Sequence, residues 1–501
     1  MRITRPFNKT IAMEHWQLLM NTALLGTGKQ ALPAMTARDE LEMALAAIRQ
    51  DAANDREDVL LKTGAVLLNY RQAGITALPA DNLSAATAAP ETRPYCSQEA
   101  VASLQEAMDL GSNALTKHWL ELCADAGYLL PPALLPLLMD KATGSKQLRA
   151  PLMKCCGNRG FWLAQLNPDW AILLPGHGVE ISAGAWETGT LPQRCEALTR
   201  KRSEDPEAAL TMLMETWKQE NAATRAALLE CLQTELSPND IPWLQQLTAD
   251  KSLKVKEKAW ELLRQLPQSE IVQSYQQLVA AAINNIDGAI IITDLQLPLP
   301  ANIYQSGIDK LPPSALHMSD ETYQLQQLVA QVPCSFLSKH LDLPPAACVQ
   351  QLAAAGMEAA MLKAAIHFKE TDWIEHILEQ SHTFYPEVFH LASPAKLEAY
   401  AMRFAEKEGS AVILRMGAGT TPWGLAITQQ IFRFIAMHPY SYNRNYFLEL
   451  AHLLPVEILH IDEKRYFGDI LYNQQAWKSL KEKLFELIAC KAAMQQQFTQ
   501  R

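Results

Sequence analysis

Between Asp205 and Pro267 the chain spells nearly the same pair of helices twice, and this duplication restricts the possible folds more than any other feature of the sequence. Apolar spacing predicts helices over 206–219 and 222–236, then over 239–248 and 253–266. Arg225 and Lys256 are 31 residues apart, and the same offset relates Leu228 to Ala259, Cys231 to Leu262 and Leu232 to Leu263. Equivalent residues therefore fall on equivalent faces. A lone helical hairpin leaves one apolar side uncovered, so neighbouring hairpins bury that side by stacking.

Asp250 followed by Val255, Lys256 and Ala259 resembles the second-helix signature of HEAT repeats. The expected class is all-α, a HEAT-like α-solenoid, because helical periodicity also runs through the rest of the chain. Leu41, Leu45 and Ile48 share one stripe, as do Leu60, Val66, Leu67 and Tyr70, and the two segments read as a hairpin. Ala100, Leu104 and Met108 mark a further helix, Leu115, Trp119, Leu122 and Cys123 another, and Leu134 to Met139 begins a third behind Pro131 and Pro132. From Ile75 to Cys96 the text turns to Ala, Pro, Thr, Asn and Asp, with Pro79, Pro90 and Pro94 breaking any helix. We read an N-terminal helical region over 1–76, a linker or ordered surface loop over 77–96 and a HEAT-like repeat domain over 97–285. A second helical domain is expected over 286–501, opened by an extended, strand-like stretch over 286–300. Its helices are expected near 323–331, 346–355, 358–368, 372–379, 394–408, 425–437, 446–454 and 475–497.

With 49% hydrophobic residues, 20% charged residues and a formal charge of -10, the chain is apolar enough to build solid cores, which excludes disorder as its main state. No window offers the ~20 uninterrupted apolar residues of a membrane-spanning helix. Arg2, Arg5 and Lys9 imitate the start of a signal peptide, but Glu14 and His15 break the chain before an apolar run is established, so the expected location is the cytoplasm. Fifty-four carboxylates against 44 Lys and Arg give a field that repels polyanions. The nine cysteines lack CxxC spacing and read as reduced thiols; adjacent Cys155 and Cys156 would point about 100° apart on a helix.

Patterns that carry chemistry elsewhere fail here in detail. Glu379/His382, Glu449/His452 and Glu457/His460 have Glu-x-x-His spacing, but Pro455 separates the last two pairs, so they cannot come from long facing helices as a di-iron site requires. They read as surface or cap histidines, and no metal or other cofactor is expected. Gly26-Thr27-Gly28-Lys29 follows a helix-like run, has Ala23 where a phosphate loop needs Gly and Gln30 where it needs Ser or Thr, and so reads as a helix C-cap and turn. Ala411 to Met416 followed by Gly417-Ala418-Gly419 has the order of strand, glycine and helix, yet Pro422 stands where the third glycine of a dinucleotide fold belongs, and the segment reads as a helix-connecting loop. No catalytic signature is seen, and no enzyme activity is expected.

The most distinctive text is Gly157-Asn158-Arg159-Gly160-Phe161-Trp162, continued by Asn167-Pro168-Asp169-Trp170. Its tryptophans either lock a helix end against a neighbour or anchor a partner, since Trp and Arg concentrate binding energy at interfaces. Arg159, Trp162, Asp169 and Trp170 are the candidate interaction residues. These blocks, together with Ala23-Leu24-Leu25-Gly26-Thr27, Asp205-Pro206 through Trp217, the repeat ending at Leu266-Pro267 and, more loosely, Pro422-Trp423, resemble an uncharacterised bacterial family of helical-repeat proteins of unknown function. Members of that family are typically encoded beside MoxR-type AAA+ ATPases, von Willebrand A-domain proteins and SWIM zinc-finger proteins. The resemblance implies a non-catalytic component of an ATPase-driven remodelling or metal-insertion system, with the AAA+ ATPase and the von Willebrand A-domain protein as partners, and it implies no catalytic residues. The alternative is a HEAT-like DNA-binding or DNA-repair protein similar to alkylpurine glycosylases, which would need a basic groove that the acidic composition disfavours.

Overall fold

Small polar residues set the helix starts. Ser97, Ser112, Asp205, Asn221, Ser269, Ser319 and Asn443 each stand one position before a helix and accept a hydrogen bond from a backbone N–H of its first turn. These side chains satisfy donors that the helix itself cannot. The computed structural model describes residues 9–35, 39–73, 87–174, 184–461 and 475–499. The fold is all-α and solenoid-like, a succession of short helices with one two-stranded antiparallel sheet among the described residues. Among these residues no helix is long and apolar enough to cross a membrane.

The chain forms two compact units, Met1–Thr87 and Ala88–Arg501. In the first, α1 (Lys9–Leu25), α2 (Asp39–Gln50) and α3 (Arg56–Ala73) enclose Leu19, Met35, Leu41, Leu45 and Leu67, with Trp16, Leu60 and Tyr70 packed against them. Helix α1 ends at Gly26, which takes φ +86° and returns its N–H to the Thr22 carbonyl. Only glycine adopts that left-handed conformation without penalty, so Gly26-Thr27-Gly28 is a helix terminus and turn.

The second unit opens with an extended strap, Ala88–Cys96, the described half of the segment read as linker or loop; residues 77–86 of that reading, like Arg2 and Arg5, lie outside the described residues. The strap is tied down. Leu129 donates its N–H to Pro94 at 2.8 Å, and Cys96 donates to Leu129 at 3.0 Å. Next come α4 (Gln98–Asp109), α5 (Asn113–Asp125), α6 (Leu135–Gly144), α7 (Lys146–Cys155), α8 (Gly157–Leu166) and a 3₁₀ segment, Pro168–Leu173. After α9 (Ala185–Thr188) and α10 (Leu191–Glu204) stand two helical hairpins, α11 (Pro206–Thr216) with α12 (Ala222–Glu230) and α13 (Ile241–Leu247) with α14 (Leu253–Arg264).

Burial agrees at some of the offset positions and differs at another. Leu228 and Ala259 are both buried, as are Leu232 and Leu263, whereas Cys231 is only half-buried. Arg225 reaches from the first hairpin to the Asp250 carboxylate of the second at 2.8 Å and lies over the Trp217 ring, which meets Trp243 edge-on. Asp250 also accepts the N–H of Ser252, so one carboxylate shapes its own loop and ties consecutive hairpins together.

Helix α15 (Glu270–Ala282) runs directly into β1 (Ile283–Ile286), which pairs with β2 (Ala289–Ile292) around Asp287 and Gly288, both at positive φ. The extended stretch thus begins at Ile283 and its paired part ends at Ile292. Helices resume as α16 (Ala301–Gln305), α17 (Asp320–Val329), α18 (Cys334–Leu341), α19 (Pro345–Ala354), α20 (Glu358–His367), α21 (Thr371–Gln380) and α22 (Pro394–Phe404). They continue with α23 (Gly409–Gly417), α24 (Leu425–Met437), α25 (Arg444–Glu449) and α26 (Gln475–Thr499). The strand-like run Ala411–Met416 is therefore helical; Val412 and Ile413 enter the core while Leu414 stays exposed, a helical and not an alternating pattern.

The apolar core of this unit is continuous from Cys96 to Met494. Its last helix returns to its first: α26 packs on α4 and α5, with Cys490 against the Ser103 carbonyl and Phe498 edge-on to Trp119 at 5.4 Å between centroids.

Candidate interaction surface

Helix α8 starts where α7 can go no further. Gly157 takes φ +66°, and a Cβ placed on it would lie 2.5 Å from the Glu91 carboxylate. That carboxylate accepts the backbone N–H groups of Asn158 at 3.0 Å and Arg159 at 2.8 Å, capping the positive end of α8 from the strap. Gly160 packs so close to Cys156 that a methyl group would clash with its sulfur. The Gly-Asn-Arg-Gly text is thus a docking sequence for one helix end.

Past that end, α8 buries Gly160 and Ala164 and turns another face outward. Arg159 is exposed, Trp162 half-buried and Leu166 62% exposed. Spacings of three and four place all three along one side of the helix. Asn167 then accepts the N–H of Asp169 at 3.1 Å and, with Pro168, folds the chain into the 3₁₀ segment. Trp170 is half-buried, and its indole N–H donates to Asp140 on α6 at 2.7 Å, which pins the segment to that helix. Asp169 points to solvent.

Of the four candidate residues, Arg159 and Trp162 share the outer face of α8, Asp169 continues the surface past its end, and Trp170 fastens it from below. Sequence reasoning missed Leu137, Leu166 and Ile172, which are 53%, 62% and 42% exposed and stand on α6, α8 and the 3₁₀ segment, which packs on both helices. Leu137 carried a legible signal. It sits in the run Leu134-Leu135-Pro136-Leu137-Leu138-Met139, and a helix with one buried stripe cannot bury every member of such a run.

The other motifs resolve locally. His452 faces the backbone carbonyl of Glu449 and not its carboxylate, His382 lies in the loop beyond α21, and Glu379 pairs with Lys396. Among the described residues no group of three or more His, Cys, Asp and Glu side chains is placed to hold a metal ion. Gly417 lets α23 approach Tyr446 and Leu450, where a Cβ would stand 2.6 Å from a leucine methyl; it serves close packing of helices. No curated protein and no solved structure matches the chain. A family model does match, over residues 18–498, and by it the chain belongs to a family of unknown function (DUF5691).

Proposed function

We propose that this chain is a non-catalytic, HEAT-like protein-binding scaffold that works in the cytoplasm. The observation that carries the reading is the solvent-facing surface of Arg159, Trp162, Leu166 and Asp169, accompanied by exposed Leu137 and Ile172 and held rigid by Glu91 and Asp140. Half-buried Trp beside Arg and exposed aliphatic side chains is the composition that concentrates energy at interfaces, and a pre-fixed backbone lowers the ordering cost of association. The family resemblance supplies the class of partner: a MoxR-type AAA+ ATPase and a von Willebrand A-domain protein, with this chain as the adaptor between them.

Affinity purification of the full chain from its native host tests the reading. The wild type is expected to recover an AAA+ ATPase or a von Willebrand A-domain protein, and a variant carrying Arg159→Glu and Leu166→Asp, both changes being at exposed positions, is expected to lose it. Recovery of neither protein, or equal recovery by the variant, overturns the reading.

A further inference from the structure

We propose that Cys195 and Cys231 form a peroxide-oxidisable thiol pair that closes a disulfide between α10 and the turn following α12. All nine cysteines are free thiols, and seven are buried; these two alone are half-buried. They are 36 positions apart in the chain, yet both sulfurs face one carbonyl oxygen, that of Ala227, at 3.9 Å from Cys195 and 3.5 Å from Cys231.

The elements that carry them are already fastened in register. Arg202, two helical turns beyond Cys195 and on the same side of α10, donates to the carbonyls of Thr234 at 2.9 Å and Glu235 at 2.7 Å and pairs with Asp240. The face of α10 that bears Cys195 is therefore held against the turn that bears Cys231, and this packing keeps the two thiols side by side. Cys96, Cys123 and Cys155 also neighbour one another, but they lie inside the core, out of reach of a dissolved oxidant.

Burial, then repulsion from Cys195, pushes the Cys231 thiol up to about 12. Either sulfur can be oxidised first with the same products, as in the sequence that starts at Cys195. Its thiolate attacks one oxygen of hydrogen peroxide; an S–O bond forms, the O–O bond breaks, and the departing hydroxide takes up the thiol's proton as water. The Cys231 thiolate then attacks the sulfenic sulfur; the S–S bond forms, the S–O bond breaks, and the second hydroxide leaves with the Cys231 proton as water. Two thiols lose two electrons and one peroxide becomes two waters.

The full chain, freed of reductant, is exposed to hydrogen peroxide, its remaining thiols are alkylated, and it is mapped by mass spectrometry without reduction. A denatured sample, in which all nine cysteines are open to reagent, confirms that the oxidant and alkylator are active. The expected result is loss of two hydrogens, one Cys195–Cys231 linkage and a thermal midpoint raised by several degrees, reversed by dithiothreitol and absent in Cys195→Ser and in Cys231→Ser. Both cysteines alkylated after peroxide, either one carried to sulfinic acid without a linkage, or a linkage to any other cysteine overturns the proposal.

Discussion

Gly157 has two reasons to be glycine, its positive φ and the Glu91 carboxylate beside its α-carbon, and they oppose substitution independently. Gly157→Ala should therefore destabilise the second unit by about 2 kcal/mol or more, since left-handed strain and a displaced helix cap add; urea unfolding measures it, and an unchanged midpoint would show that neither constraint operates. A deeper case is Arg202 with Asp240, both 1% exposed and bonded at 2.9 Å. The Arg202 guanidinium also binds the carbonyls of Pro206, Leu232, Thr234 and Glu235, closing a loop whose polar groups would otherwise be buried without partners. Asp240→Leu leaves that guanidinium buried and uncompensated, a loss of about 3–5 kcal/mol. The double variant Arg202→Met with Asp240→Leu should recover part of this loss in the same experiment, and a single variant as stable as the wild type would contradict the assignment.

At the scale of elements, the joint between α26 and the start of its unit combines apolar packing with an unusual set of bases. Lys491 is buried and donates to the Leu454 carbonyl at 2.6 Å; burial holds it down to about 8. His118 is held down to about 4 by burial and then by Lys491, its Nε2 having no hydrogen-bond partner, and burial lowers His452 as well. Lys117 and Glu121 from α5 and Glu457 from the 3₁₀ turn Val456–His460 complete the charges facing them. The folded state binds protons less readily than the unfolded one at these bases, so stability falls as pH drops from 6.5 to about 4. His118 alone accounts for about 3 kcal/mol of that fall. Lys491 adds a second window, in which stability rises from about pH 8 to 10.5. Unfolding of wild type and His118→Phe across these pH values checks the acid limb; equal acid slopes would contradict it. Stripes such as Leu228 and Leu232 were readable because a helix is a local structure. The partner of α26 was not, because Cys490 meets Ser103 across 387 residues. Ala411–Met416 misled because β-branched and apolar neighbours favour strands until packing decides, and here both Val412 and Ile413 are held in a helical core.

Taken as a whole molecule, the stacked helices account for the fold, and one surface accounts for the proposed function. The sequence pointed to that surface through Arg159, Trp162, Asp169 and Trp170 but not to its extent, because the reasons for its rigidity lie elsewhere in the chain: Glu91 in the strap and Asp140 on α6. The most direct test places a photoreactive phenylalanine analogue at Trp162, at Leu166 and, as a control, at Leu253, which is 68% exposed on α14. After illumination in the native host, cross-links from 162 and 166 to another polypeptide, with none from 253, are the predicted result. Equal cross-linking at all three positions, or links from 162 and 166 only to the chain itself, would contradict the account.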